Sequence, residues 1–198
     1  MVKAVLFDVD FTIARPGPEL GPEGYERLGE RFGLELDPSR YAAARERAVE
    51  GIKRHPELEH DEEIWVAFTE RIVRGMGGDA DSAHDCAVAM TNSNTGRDLE
   101  AFVAHHRLDV DAAIGSGAFG RTKPHPAIFG AVLDRIGVEP GDAAMVGDSP
   151  EDDIDGAHAA GIEQAFLLDR DDRYPELEPR LPDLYALPAV LGLGQAQG

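Results

Sequence analysis

Cysteine occurs once in this chain, at Cys86, so no internal disulfide can form and no thiolate cluster can hold zinc. Lysine is nearly as scarce: Lys3, Lys53 and Lys123 stand alone, and arginine carries the rest of the positive charge. Long apolar runs are missing as well. Nothing approaches the ~18 residues of a membrane span. The first apolar stretch meets an acid, Asp8, where a signal peptide would continue. A cytoplasmic protein is therefore expected. Positive charge is itself in deficit, with 19 Lys+Arg against 38 Asp+Glu and a formal net charge of −19. Such a field repels nucleic-acid phosphates and anionic membranes, and no basic stripe reverses it locally. Nucleic acid and membrane are excluded as partners on that ground.

What is present suits a globular protein. A hydrophobic content of 42% over 198 residues fits one domain, or one domain carrying an insertion. Residues 3–9 (KAVLFDV) form a short, nearly continuous apolar run, the pattern of a strand buried on both faces of a parallel sheet. A Pro/Gly-rich stretch, Arg15 to Pro22, follows and can continue neither strand nor helix. From there to about residue 85 only helical spacing is seen. Tyr25, Leu28 and Phe32 mark one face; Asp37-Pro38 opens a second helix through Tyr41, Ala44, Ala48 and Ile52; Ile64, Trp65, Phe68, Ile72 and Met76 mark a third. Beyond residue 86 short apolar runs alternate with helical segments. Strands are expected at Ala87–Met90, Asp111–Gly115, Ala143–Val146 and Gln164–Leu168, with helices near Leu99–Val103, Pro126–Ile136 and Ile154–Ala160. A last short strand or helix is expected near Leu184–Leu191. The reading is an α/β fold: a parallel Rossmann-like sheet with helices on both faces, residues 1–14 and 86–198, interrupted by an all-helical cap at 15–85.

Ligands of open parallel sheets bind at the carboxyl ends of the strands. The expected strand ends carry Asp8-Val9-Asp10-Phe11-Thr12, Thr91-Asn92 and Gly147-Asp148, with Asp152 and Asp153 just beyond and Lys123-Pro124 before a helix. Carboxylates gathered at one sheet edge repel one another and call for a cation. Oxygen ligands that leave room for a phosphate fit Mg²⁺. One carboxylate can then act as nucleophile, and a second, two residues on, as general acid and base. Thr91, Asn92 and the Lys123 ammonium suit the oxygens of a transferring phosphoryl group.

At these motifs the chain resembles the haloacid dehalogenase-like hydrolase superfamily. The resemblance rests on Asp8 to Thr12, Thr91-Asn92, Lys123 to Phe129 and Val146 to Ala157, and it is strongest over Lys123–Gly161. It implies Asp8 as nucleophile, Asp10 as general acid/base, and Thr91 and Lys123 as phosphoryl binders, with Thr12 and Asn92 beside the substrate. It further implies Mg²⁺ held by Asp8, Asp10 through its carbonyl, and Asp148, with Asp153 orienting that site or Lys123. The implied reaction is hydrolysis of a small phosphorylated metabolite through an aspartyl-phosphate. Two departures stand out. Phe11 replaces the usual Gly, and the apolar run before Thr91 is short, as if about 20–30 residues of strand and helix were absent.

Three other functions use related residues. A 2-haloacid dehalogenase attacks with the same Asp, but Asp10 and Asp148 would be superfluous to it. A phosphomutase would hold the phospho-enzyme against water. A phospho-receiver module also gathers acids, Thr and Lys around an acceptor Asp, yet without a helical insertion after its first strand. Among smaller features, His105-His106 reads as a solvated helix end, Trp65 as cap packing and His125 as a loop residue. Lys53-Arg54-His55 is either an exposed helix end or an anion contact. Gly156 to Gly161 has the wrong spacing for a nucleotide loop and reads as close packing.

Overall fold

The computed structural model describes residues 1–14, 17–53, 62–94 and 99–193, without the side chains of 52–53, 62–63, 80, 92–94, 100–101 and 117–118. By its internal contacts the chain divides into two compact units, Met1–Arg15 with Lys123–Gly198, and Pro16–Thr122.

The first unit is built on a parallel sheet of β1 (Ala4–Phe7), β2 (Ala143–Gly147), β3 (Gln164–Leu168) and β4 (Arg180–Leu181), in that spatial order. Leu6 lies opposite Met145, and Met145 opposite Ala165. Every residue of β2 is buried, which is why its sequence, AAMVG, is uninterrupted by polar residues. Ala144, Val146, Phe166, Leu168 and Leu181 form one core with Leu187 from α9 (Leu187–Val190). The expected terminal element is thus a turn of helix.

A helix at Pro126–Ile136 packs in this unit, begun by His125, whose Nδ1 accepts from the Ala127 N–H at 3.2 Å, and ended by Gly137 at φ 68°. Next in the chain, a π-helical turn at Pro150–Asp155 leads into a short helix at Gly156–Ala159. A Cβ on Gly156 would lie 2.9 Å from the Phe129 ring and 3.0 Å from the Pro124 Cα. The small residues here permit close packing, as expected.

The second unit is helical: α1 (Pro22–Glu30), α2 (Tyr41–Lys53), α3 (Glu62–Gly75), α4 (Ala80–Asn94), α5 (Leu99–His106) and α6 (Ser116–Phe119). We number the helices of the first unit onward from these, α7 (Pro126–Ile136) and α8 (Gly156–Ala159). The core of the second unit joins Tyr25, Leu34, Leu36, Ala48, Ile72, Val73, Met76, Cys86 and Met90. Tyr41 packs its ring 5.4 Å from Tyr25, and its hydroxyl donates to the Leu20 carbonyl at 2.8 Å. Trp65 meets Phe68 edge-on at 5.9 Å, the packing role expected of it. Cys86 is fully buried, and burial pushes its thiol up, so it is an inert packing residue.

Two sequence expectations are corrected here. Ala87–Met90 is not a strand but the middle of α4. Ala83, Cys86, Ala87 and Met90 are all buried at spacings of three, four and seven, a helical stripe that an apolar run of four residues concealed. Asp79 starts this helix by accepting from the Asp81 and Ser82 N–H groups at 3.0 Å each. Asp111–Gly115 is irregular chain rather than a strand. β1, expected to be buried on both faces, is an edge strand among the described residues, with only Leu6 buried. Residues 86–122, expected with the sheet, group with the helices.

Candidate active site

Parallel strands all deliver their carboxyl ends to one edge, and the first unit assembles its polar residues there. Asp8 immediately follows β1, and its N–H donates to the Val146 carbonyl at 3.0 Å, locking it beside the end of β2. Asp148 follows β2 directly. Asp153 sits in the π-helical turn after it, 1% exposed, and accepts from the Ser149 N–H at 3.0 Å. Ser149 caps that turn, its Oγ accepting from the Asp152 N–H at 3.2 Å. One oxygen each of Asp8, Asp148 and Asp153 lie within 4.8 Å of one another.

Lys123 Nζ is 2.5 Å from Asp8 Oδ1 and 2.5 Å from Asp153 Oδ1. Burial works against its charge, but Asp153 and Asp8 outweigh burial and raise its pKa. Burial, more than any neighbour, pushes Asp153 up to about 6; Asp8 adds to this and Lys123 opposes it. Asp148 is also raised, by burial and by the Asp8 charge, with Arg173 in opposition. Two of three clustered carboxylates therefore resist ionisation where they stand. An all-oxygen donor set of this kind, short of positive charge, fits a hard divalent cation.

Gly147 is obligatory for this arrangement, since a Cβ there would fall 2.2 Å from Asp153 Cγ. Gly147→Ala is expected to cost about 1–3 kcal/mol, the usual range for an overpacked core. A lowered denaturant midpoint at unchanged slope would register it.

The segment after Asp8 folds back on itself. Thr12, Ile13 and Ala14 direct their N–H groups at the Val9 carbonyl, at 3.3, 3.1 and 2.9 Å, and the Phe11 N–H donates to Ala14 at 2.6 Å. Asp10 lies on this loop, one residue before Phe11, whose φ is 62°. Thr12 is buried, and its Oγ1 has no hydrogen-bond partner among the described residues.

Three residues of this edge escaped the sequence reading. Asp169 follows β3; burial works against its charge, yet the Tyr174 and Arg173 N–H groups, each at 2.8 Å, and Arg180 hold its carboxyl below the ordinary range. Arg170 donates to the Phe11 and Thr12 carbonyls, at 2.5 and 2.8 Å. Arg173 Nη2 reaches Asp148 Oδ2 at 3.3 Å. Their signal was position, since Asp169 to Arg173 directly follow a strand on the edge where ligands bind.

Thr91 and Asn92, expected at a strand end, are carried by α4 in the helical unit. Thr91 is buried, with its Oγ1 3.3 Å from Thr69 Oγ1; the Asn92 side chain lies outside the described residues. Arg54, His55 and the Lys53 side chain also lie outside them. His105 and His106 are exposed, as expected, their rings edge-to-face at 4.8 Å.

Comparison with known proteins adds the lineage. Residues 120–186 match a family model described as HAD-hydrolase-like. A phosphoserine phosphatase of Thermus thermophilus is 43% identical over 84 residues, 42% of this chain and 32% of that protein. A HAD phosphatase structure from Thermococcus onnurineus superposes with a TM-score of 0.60 at 26% identity, over 96% of this chain and 98% of that one. Over these residues the chain is similar to the haloacid dehalogenase-like hydrolases. The chain spans about a third of the length of curated relatives such as the Thermus protein. A 2-haloacid dehalogenase from Pseudomonas syringae shares its fold, with a TM-score of 0.59 at 23% identity over 98% of this chain and 99% of that one. Lys123, Asp148 and Asp153, which fall within the matched residues 120–186, are brought together with Asp8 by the first unit.

Proposed function

We propose that this chain is a phosphatase that hydrolyses a small phosphate monoester through a covalent intermediate on Asp8. The observation that carries the reading is the Lys123 ammonium bridging Asp8 and Asp153, with Asp148 completing the carboxylate cluster. The Thermus and Thermococcus relatives, both named as phosphatases, support the same chemistry.

An Asp8 carboxylate oxygen attacks phosphorus as the bond to the leaving oxygen breaks. Asp10, two residues along, gives that oxygen its proton. The phosphoryl group is then an acyl phosphate on Asp8. Asp10, now ionised, takes a proton from water, whose oxygen attacks phosphorus and frees Asp8 with release of phosphate. Lys123 offsets charge on the transferring oxygens and keeps Asp8 aimed. Asp8, the Asp10 carbonyl and Asp148 would hold Mg²⁺, with Asp153 steadying the site through Lys123. Bound there, the ion would supply positive charge to the phosphoryl oxygens. No step is assigned to Thr91 or Asn92. The helical unit, inserted in the chain between Arg15 and Lys123, would act as the cap that selects the substrate.

The test is a panel of phosphomonoesters, with a 2-haloacid and a sugar phosphate alongside. Phosphate release is expected with Mg²⁺ and is expected to vanish on chelation and return on adding the ion. Halide release independent of metal would replace this reading with the dehalogenase. Sugar-phosphate isomerisation in place of phosphate release would replace it with the mutase.

A further inference from the structure

We infer that Arg170 is a positioning residue of this site: it clamps Phe11 in a left-handed turn and thereby fixes the loop that carries Asp10. The clue is a conflict. Phe11 has φ 62°, a conformation that bulky L-residues rarely adopt. Burial does not explain it, since Phe11 is 46% exposed. Within the loop, the N–H groups of residues 11–14 are all consumed by the Val9 and Ala14 carbonyls. The Phe11 and Thr12 carbonyls find their partner outside the loop.

Arg170 takes both, Nη1 to Phe11 at 2.5 Å and Nη2 to Thr12 at 2.8 Å. A planar guanidinium suits two successive carbonyls in a way that a single ammonium does not. Its backbone is anchored on either side. Asp169, buried behind it, accepts from the Arg173 and Tyr174 N–H groups and from Arg180 Nη1 at 3.2 Å. The Arg173 side chain runs on to Asp148. One loop after β3 thus supports both the Asp10 segment and the residue after β2. Both of these Arg170 bonds go to main-chain carbonyls of the loop, so the role inferred for it acts through that loop.

The activity arm of the test rests on the phosphatase reading; the stability arm does not. R170A, R170K, F11G and the double variant F11G/R170A would be compared with the unaltered chain. R170A is expected to lower kcat roughly 10–100-fold, the scale of a small misplacement of catalytic groups, with KM little changed. R170K should recover only part of this. Glycine adopts the left-handed turn unaided, so F11G/R170A should regain most of the kcat that R170A loses. In thermal unfolding, R170A should lower the midpoint by about 3 °C or more, and by clearly less when introduced into F11G. Non-additivity of this sign establishes the coupling. Equal effects of R170A with and without F11G, in midpoint or kcat, would overturn the inference. If no phosphoester is hydrolysed by the unaltered chain, the phosphatase reading fails and the midpoints still decide the role of Arg170.

Discussion

Asp8→Asn should lower kcat by roughly 10⁴-fold or more, because an amide keeps the shape of the carboxylate but cannot form the phospho-enzyme. The substitution is local. The Asp8 N–H still donates to Val146, so the backbone remains in place. Burial and the Asp8 charge together raise Asp148 and Asp153, and removing that charge relieves both. Lys123 keeps Asp153 as its partner. The thermal midpoint should therefore stay level or rise while activity disappears. Acid-quenched phospho-enzyme should be trapped from the unaltered protein and be absent from the variant. Retention of full activity would remove Asp8 from the mechanism.

Lys123→Met should be the most damaging single change to stability at this edge. Lys123 is the cation bonded to both Asp8 and Asp153, and Asp153 is 1% exposed. Removing one member of a buried pair costs about 3–5 kcal/mol, because the remaining charge is left without compensation. For a chain of this size that is a fall of roughly 10 °C in midpoint. The effect has a sign in pH. Asp153 is raised from 3.8 to about 6, so the folded chain binds its proton more tightly than the unfolded chain does. Its ionisation opposes folding above about 6, and that opposition is relieved as pH falls toward 3.8. Lys123 is what limits it, so the variant should regain more stability than the unaltered protein on acidification. Unfolding in the presence of chelator, followed from pH 7.5 to 5, would measure it. A variant of unchanged midpoint and pH slope would contradict the pairing.

Legibility in the sequence followed the range over which each signal acts. β2 and β3 were readable because buried parallel strands demand short continuous apolar runs, and β1 showed the same run although only its Leu6 is buried. α7 was readable because its apolar residues recur at helical spacing behind a His-Pro start. α4 was misread for the same reason in reverse: Ala87–Met90 is apolar at every position, and only Ala83 and Cys86, one turn earlier, reveal the period. With that strand gone, Thr91 moved from a sheet edge to the side of a helix.

What the sequence alone determined were the residues from which the candidate site is read: Asp8, Asp10, Lys123, Asp148 and Asp153. Their residue types and their placement after apolar runs are local properties. The tertiary structure decided how they are held. That Lys123 bridges Asp8 and Asp153 across chain separations of 115 and 30 residues depends on parallel strands ending together. That Arg170 secures Phe11 depends on a contact 159 residues long. Neither leaves a mark in the spacing of nearby residues, because hydrogen bonds between distant loops are selected by geometry and not by period.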